Sequence, residues 1–174
     1  DDSDTHLHRG STPANADTSA DGELLAYGCG PLVVVSVPAA CCALTALRGH
    51  AARVNCVRWV PGSDATTRRT LLSASCDHTL RLWRRESGSG ADALGGWAQV
   101  QVLQGHSGSV LCVVELSDGR VVSGALDHTV CVWNAKNGHQ VQTLSGHSGG
   151  VTSVHVLPDG QRVISGSVDT TIRL

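Results

Sequence analysis

Residues 105–134 read GHSGSVLCVVELSDGRVVSGALDHTVCVWN, and this stretch decides the fold. It contains three short runs in which apolar and polar residues alternate, separated by Ser, Asp and Gly. Such alternation is typical of a strand with one buried face, and the separating residues favour tight turns. The stretch therefore predicts three consecutive short strands that follow a Gly-His dipeptide.

The same pieces recur on both sides of this stretch. Gly-His also opens units at 49–50 and 146–147, and similar runs follow in the same order. A further apolar run precedes each dipeptide: ALTALR, WAQVQVLQ and HQVQTLS. The first interval is longer because of two loop-like segments, Pro61–Arg69 and Arg84–Gly96. Recurrence of this kind predicts a repeat architecture with four short strands in each unit.

Each unit also carries a His, a Ser, an Asp and, in the first two units, a Trp. The spacing from Asp to Trp is the same in both units. In the third unit the equivalent position lies one residue beyond Leu174, so we expect the sequence to be a fragment of a longer protein. The recurring positions are His50, Ser73, Asp77 and Trp83; His106, Ser123, Asp127 and Trp133; and His147, Ser165 and Asp169.

Ser, His and Asp also form hydrolase triads, but their repetition favours a structural role. An active site needs one constellation with an oxyanion hole and a pocket, whereas this set occurs three times. A buried Trp must find an acceptor for its indole N–H. Ser can accept that hydrogen bond and donate to His, whose other nitrogen meets Asp. The sequence therefore predicts structural tetrads, no catalytic residue and no enzyme activity.

The order Gly-His, strand, Ser-x-x-x-Asp and a strand ending in Trp resembles the WD40 repeat family. That resemblance implies an all-β fold, in which four-stranded blades form a β-propeller around a central channel. The sequence would hold an incomplete propeller of about three to four blades within 23–174. The expected repeats are roughly 43–83, 97–133 and 140–174, with half a blade at 23–42.

The N-terminal part divides into a tail and two strands. Residues 1–22 are acidic and almost free of large apolar side chains, which predicts a disordered segment. Leu24–Tyr27 and Leu32–Val37 are apolar and are expected as the middle strands of an earlier blade.

Residues 24–62, LLAYGCGPLVVVSVPAACCALTALRGHAARVNCVRWVPG, also resemble the Elongator complex subunit 2 family. This match covers roughly residues 23–106. It implies a non-catalytic scaffold within the assembly that modifies wobble uridines in tRNA, bound to the catalytic subunit and with a weak tRNA contact. The later units resemble any WD40 adaptor, so a ubiquitin-ligase substrate receptor or a signalling scaffold is the alternative.

Charge does not identify a partner on its own. The formal net charge is −2, which favours neither nucleic acid nor a membrane surface. Arginines are nevertheless concentrated in the first unit. They are interpreted either as solvated residues of strand edges and loops or as a contact for an acidic partner or RNA. The arginines singled out for partner binding are Arg53, Arg68, Arg69, Arg84 and Arg85.

Cysteines and hydropathy point to a reducing compartment. The seven cysteines show no CxxC and no Cys/His pairing at zinc spacing, so we expect neither a metal nor a cofactor. An odd count without a secretory signal favours reduced thiols in the cytoplasm or nucleus. No apolar run approaches the ~20 residues of a membrane span.

Protein partners are expected at one edge of the repeats, beside the predicted tetrads. This edge carries the turns that follow each Gly-His and the residues just before each Asp. The turns are Ala51–Arg53, Ser107–Ser109 and Ser148–Gly150, and the single residues are Cys76, Leu126 and Val168.

Overall fold

The computed structural model describes residues 16–19, 22–37, 44–60, 69–85 and 96–174, and every regular element in these ranges is a strand. The strands are β1 (Ala16–Thr18), β2 (Leu25–Cys29), β3 (Leu32–Ser36), β4 (Leu44–Leu47), β5 (Val54–Trp59), β6 (Thr70–Ser75), β7 (Thr79–Arg85), β8 (Trp97–Gln104), β9 (Val110–Glu115), β10 (Arg120–Ala125), β11 (Val130–Asn134), β12 (Gln140–Leu144), β13 (Val151–Val156), β14 (Val163–Ser167) and β15 (Ile172–Arg173).

These strands form four small antiparallel sheets that follow one another along the chain. The sheets are β1–β4, β5–β8, β9–β12 and β13–β15, and within each sheet consecutive strands are hydrogen-bonded neighbours. The first strand of each sheet lies next to the first strand of the following sheet. This arrangement is that of β-propeller blades, so the predicted all-β propeller fold is confirmed.

The core lies between successive sheets rather than on one side of each. Adjacent residues of a strand point to opposite faces, so a strand covered on both sides buries all of its side chains. Every residue of β6 is buried in this way. Leu71 belongs to the cluster shared with the first sheet, and Leu72 belongs to the cluster shared with the third.

Close packing at the last seam depends on a glycine. A Cβ placed on Gly124 would lie 2.5 Å from Val151 Cγ1 and 2.8 Å from Cys112 Sγ. Only a residue without a side chain lets β10 approach β13 this closely. The seam therefore restricts the sequence as strongly as the buried apolar residues do.

The first sheet differs from the sequence-based expectation. The strands β2 and β3 are its middle pair, as predicted, but Ala16–Thr18 forms a strand within the segment predicted to be disordered. The Asp17 carboxylate accepts a hydrogen bond from the backbone N–H of Trp59 at 2.9 Å. The Asp17 carbonyl accepts one from the Trp59 indole at 3.1 Å. Composition misses this strand because hydrogen bonds hold it, not apolar side chains.

Two loop predictions are also affected. Arg84 and Arg85 belong to β7 and not to the loop that was expected to begin at Arg84, because both pair within the sheet. The remainder of that predicted loop, 86–95, lies outside the described residues. So do 61–68 of the other predicted loop, and 1–15 and 20–21 of the predicted tail.

Candidate functional site

The second sheet contains a continuous chain of four hydrogen-bonded side chains. The indole N–H of Trp83 donates to Ser73 Oγ at 2.8 Å. Ser73 Oγ lies 2.8 Å from His50 Nε2, and His50 Nδ1 lies 2.8 Å from Asp77 Oδ2. The four residues come from the strand β6, the strand β7 and the turns at one edge of the sheet. This chain therefore ties the buried interior of the sheet to its turns.

The third sheet repeats this arrangement almost atom for atom. Trp133 donates to Ser123 Oγ at 2.7 Å, and Ser123 Oγ lies 2.8 Å from His106 Nε2. His106 Nδ1 lies 2.8 Å from Asp127 Oδ2. The same residue types at the same spacing thus produce the same geometry in two separate sheets.

The fourth sheet holds the three remaining predicted residues in the same positions. His147 Nε2 lies 2.9 Å from Ser165 Oγ, and His147 Nδ1 lies 2.8 Å from Asp169 Oδ2. All eleven residues assigned to tetrads in the sequence are therefore brought together sheet by sheet. Their contribution to stability stays a prediction.

The direction of the hydrogen bonds is consistent with a neutral imidazole. If His50 Nδ1 carries the proton, it donates to Asp77, and Nε2 is left as an acceptor. The hydroxyl of Ser73 then donates to Nε2 and uses a lone pair to accept from Trp83. Every polar hydrogen in the chain has an acceptor in this arrangement, which is what a buried network requires.

Asp77 also organises the turn between β6 and β7. Its Oδ2 accepts the backbone N–H of Ala51 at 2.9 Å. Its Oδ1 accepts both the backbone N–H of Thr79 at 3.0 Å and the Thr79 hydroxyl at 2.7 Å. This threonine was not anticipated from the sequence, although a Thr stands two residues after the Asp in every unit. The equivalent residues are Thr129 and Thr171.

The residue after each Asp adopts a left-handed backbone conformation. His78, His128 and Thr170 have φ angles of 68°, 69° and 67°. Non-glycine residues rarely adopt such angles, and the conformation costs energy. The bonds that each Asp makes on either side of this residue hold the turn in place, so the aspartates support the turns as well as the tetrads.

The electrostatics of the second sheet favour a neutral His50 beside an ionised Asp77. Burial lowers the pKa of His50 below 6.5, although the Asp77 carboxylate opposes the shift. Burial raises the pKa of Asp77, but the hydrogen bonds from Thr79, Ala51 and His50 outweigh it and lower that pKa to about 2. A neutral His50 beside an ionised Asp77 is therefore the state that the fold stabilises near neutral pH.

The serines of the two complete tetrads are closed to a substrate. Ser73 and Ser123 are completely buried, and both hydroxyls are occupied by the neighbouring His and Trp. A nucleophile needs an open approach for the reacting carbon and donors for the developing oxyanion. This geometry suits a structural brace.

The turns above the tetrads expose apolar side chains beside a rigid support. Leu126 is 49% exposed and Val168 is 65% exposed, and each directly precedes a tetrad Asp. The equivalent residue of the second sheet, Cys76, is half-buried. Leu126 also packs on the backbone of Gly150 in the next sheet. We call the edge that carries these residues and Arg53 the tetrad rim.

The five arginines singled out in the sequence do not form one surface. Arg53 is exposed at the tetrad rim, where Val54 pairs with Ser75. Arg84 pairs with Thr70 at the opposite end of the second sheet, roughly 15–20 Å away for strands of this length. Arg85 and Arg69 lie at that same end. Arg69 donates a hydrogen bond to the Glu23 carboxylate at 2.9 Å. Arg68 lies outside the described residues.

The structure also describes most of the cysteines, and it bears on metal binding and on membrane-spanning helices. Cys29, Cys56, Cys76, Cys112 and Cys131 are free thiols, and Cys41 and Cys42 lie outside the described residues. Within the described ranges, no group of three or more His, Cys, Asp or Glu side chains is placed to hold a metal ion. The same ranges contain no helix that is long and apolar enough to cross a membrane.

Comparisons with known proteins agree with this geometry. A family model described as "WD domain, G-beta repeat" matches residues 41–84, 97–134 and 138–174. A chain from the structure titled "Crystal Structure of Mitotic Checkpoint Complex" superposes with a TM-score of 0.71 at 26% identity. That superposition covers 87% of this chain and 43% of the other.

Two kinds of curated relatives are similar in sequence. Elongator complex protein 2 of Rattus norvegicus is 33% identical over 127 residues, which cover 68% of this chain and 15% of that protein. Protein HIRA of Zea mays is 36% identical over 107 residues, which cover 55% of this chain and 10% of that protein. The predicted resemblance to Elongator subunit 2 is confirmed, whereas the similarity to HIRA was not anticipated. This chain spans at most 15% of either relative.

The first prediction concerns the central serine of a tetrad. Replacing Ser123 with Ala leaves the Trp133 indole N–H and His106 Nε2 without a partner in a buried site, which should destabilise the fold by about 1–3 kcal/mol. Urea unfolding followed by tryptophan fluorescence measures this loss. The matched control is Ser107→Ala, since Ala51 occupies the equivalent position in the second sheet and the backbone N–H remains. Equal stability of the two variants would contradict the bracing role.

A second prediction concerns pH. Because the folded pKa of His50 lies below its unfolded value of 6.5, its stabilising effect is present above pH 6.5 and is lost as the pH falls. Because the pKa values of Asp77 and Asp127 are lowered to about 2, the folded state loses further stability as the pH falls from 3.8 to about 2. Urea unfolding at several pH values should therefore show two successive declines.

The contribution of His50 can be isolated by comparing pH slopes. His50→Gln should flatten the decline in unfolding free energy between about pH 7 and pH 5. His139→Gln, at an exposed position, should retain the wild-type slope. If the slope in His50→Gln equals that of the wild type, His50 does not carry the first decline.

Proposed function

The chain belongs to the WD40 repeat family, and from this premise we propose that it is a non-catalytic scaffold that holds protein partners on the tetrad rim. The observation that carries this proposal is the repeated combination of a buried brace with an exposed apolar residue directly above it. The brace consists of Ser, His and Asp residues, which are residue types that can also catalyse reactions. Leu126 and Val168 remain largely exposed on the third and fourth sheets.

The tetrad rim has the properties of a prepared binding surface. Leu126 and Val168 are exposed apolar side chains on turns whose backbone is held by Asp127 and Asp169. Rigid turns lose little conformational entropy when a partner binds, which favours affinity. Exposed apolar residues at such positions mark interaction sites more often than scattered surface residues do.

Arg53 adds charge selectivity to the same rim. It is exposed, and its Nε donates to Asn55 Oδ1 at 3.3 Å. Asn55 in turn donates to the carbonyl of Val110 at 2.8 Å, which joins the second and third sheets. The arginine therefore stands on a fixed part of the rim. We expect a partner segment that presents apolar side chains together with a carboxylate.

The assembly that this scaffold serves is proposed to be an Elongator complex or one like it. Supporting this choice is the similarity to Elongator complex protein 2 over about two-thirds of the chain. The role would be to support the subunits that modify wobble uridines in tRNA, in the cytoplasm or the nucleus. The alternative is another WD40 adaptor, a ubiquitin-ligase substrate receptor or a signalling scaffold, because the similarity to HIRA is of comparable strength.

The third prediction tests the tetrad rim directly. A variant with Arg53, Leu126 and Val168 all replaced by Ala should lose the partner proteins that co-purify with the tagged wild-type chain. The control replaces Val100 and Val141, which are also exposed valines but lie on the outer strands β8 and β12. Quantitative mass spectrometry of both purifications gives the comparison.

The identity of the captured proteins decides between the two assignments. Recovery of Elongator subunits that depends on the rim would support the specific proposal, and recovery of other complexes would support the generic adaptor. If the outer-strand control loses the same proteins as the rim variant, partner binding does not occur at the rim.

RNA binding is a second candidate, and it is favoured by the edge opposite the rim. Arg84 and Arg85 end β7 there, close to the start of β8 at Trp97. The Trp97 ring contacts the Trp59 ring, with centroids 5.8 Å apart and an interplanar angle of 61°. Half-exposed aromatic rings beside arginines are a common surface for single-stranded nucleic acid.

A fourth prediction separates this candidate from the scaffold. Replacing Arg84 and Arg85 with Ala should reduce the slope of log affinity for tRNA against log salt by about 0.7–0.9 per lost phosphate contact. The control replaces Arg120 and Arg162, which pair with aspartates of their own turns. An unchanged slope in the variant that lacks Arg84 and Arg85 would exclude RNA binding at this edge.

A further inference from the structure

A small pocket opens where the first strands of three successive sheets meet. It has a volume of about 230 Å³ and lies between β5, β9 and β13. The polar and charged groups that line it are the guanidinium of Arg58, the imidazole of His155, the hydroxyls of Thr152 and Ser153, and the thiols of Cys56 and Cys112. Because the pocket is lined by the innermost strand of each sheet, it is distinct from the tetrad rim.

The charge of this pocket is one-sided. Arg58 is half-buried, and within the described ranges no carboxylate lies at ion-pair distance from it and no hydrogen-bond acceptor is bound to it. In contrast, Arg69, Arg120 and Arg162 each contact a carboxylate. A half-buried guanidinium has lost part of its hydration, so an unpaired one favours an incoming anion.

The two thiols do not supply the missing anion. Burial raises the pKa of Cys56, and it raises the pKa of Cys112 to about 12. Both thiols are therefore uncharged near neutral pH. Cys112 Sγ is already directed at backbone carbonyls, 3.7 Å from Gly124 and 3.9 Å from Val151. Among the residues that line the pocket, none carries a negative charge to offset Arg58. The nearby carboxylate of Asp17 acts on Cys56 but already accepts a hydrogen bond from the Trp59 backbone N–H.

We infer that this pocket binds a small oxyanion, either a phosphate group or a carboxylate, with Arg58 as its principal ligand. The guanidinium presents several N–H donors in a planar fork that matches two oxygens of such a group. The imidazole of His155 and the hydroxyl of Ser153 provide further donors from the facing strand, whereas the Thr152 hydroxyl already donates to the carbonyl of Gly166 at 3.3 Å. Hydrogen bonds from three side-chain types would then surround one anion.

The size of the pocket limits the ligand. Pockets that enclose drug-sized molecules have volumes of about 300–1,000 Å³. A pocket of about 230 Å³ accommodates a single charged group with a short attachment. The occupant is therefore a free oxyanion or the charged end of a larger molecule that approaches along the inner strands. This binding would add an anion-dependent contact to a scaffold whose partner surface lies elsewhere.

The test is a titration of the whole chain with inorganic phosphate and, separately, with acetate. Both are compared with chloride at equal ionic strength, and backbone amide shifts are followed by heteronuclear NMR. We expect saturable shifts at Arg58 and at residues 152–155, larger than any that chloride produces. Binding of both ions would identify a general oxyanion site, and binding of phosphate alone would identify a site for phosphate groups.

Three variants make the assignment falsifiable. Arg58→Gln should weaken binding about tenfold, because a hydrogen bond to a charged group is lost. Arg58→Lys keeps the charge and should retain more affinity than Arg58→Gln. Arg120→Gln, at an arginine that pairs with Asp118 outside the pocket, should bind like the wild type. The inference is wrong if Arg58→Gln binds phosphate and acetate as the wild type does. It is also wrong if phosphate and acetate cause amide shifts no larger than those that chloride causes.

Discussion

In the second and third sheets, one physical constraint organises the surrounding residues, which is that a buried indole N–H must have an acceptor. Trp83 and Trp133 each fill the space between two sheets, and their polar edge reaches a serine on the neighbouring strand. Satisfying the serine brings in a histidine, and satisfying the histidine brings in an aspartate at the surface. A constraint that begins in the core therefore ends by fixing the turns at the tetrad rim.

This chain of hydrogen bonds gives residues that are typical of catalysis a structural position. In the two complete tetrads, the hydroxyls of Ser73 and Ser123 are buried and are each engaged by a histidine and a tryptophan. Other groups are presented for recognition by the braced turns and the inner strands. The exposed Leu126 and the unpaired Arg58 are such groups, and they lie at different places on the sheets.

Much of this could be predicted from sequence, and the failures share a physical cause. Alternation and repetition predicted the strands β5–β15 and the eleven tetrad residues, because buried faces and buried polar networks leave regular spacings. Strand β1 was missed because Asp17 holds it through hydrogen bonds to Trp59, which composition does not reveal. The arginines appeared clustered in sequence, but antiparallel register carries Arg53 and Arg84 to opposite ends of one sheet. Contacts between sheets, including those around Arg58, have no signature in any single repeat.

The similarity to relatives of two different names follows from the same division of roles. The recurring Gly-His, Ser, Asp and Trp positions define the repeat pattern, so a match to them reports on the family rather than on partners. Within this chain, equivalent positions of the three units also disagree at several places. The fifth residue of the inner strand is Arg58, Val114 or His155, and the residue before the tetrad Asp is Cys76, Leu126 or Val168. Arg58 and His155 of the first set line the inner pocket, and the second set lies on the tetrad rim, so variation between the units falls where we propose contact with a ligand or a partner.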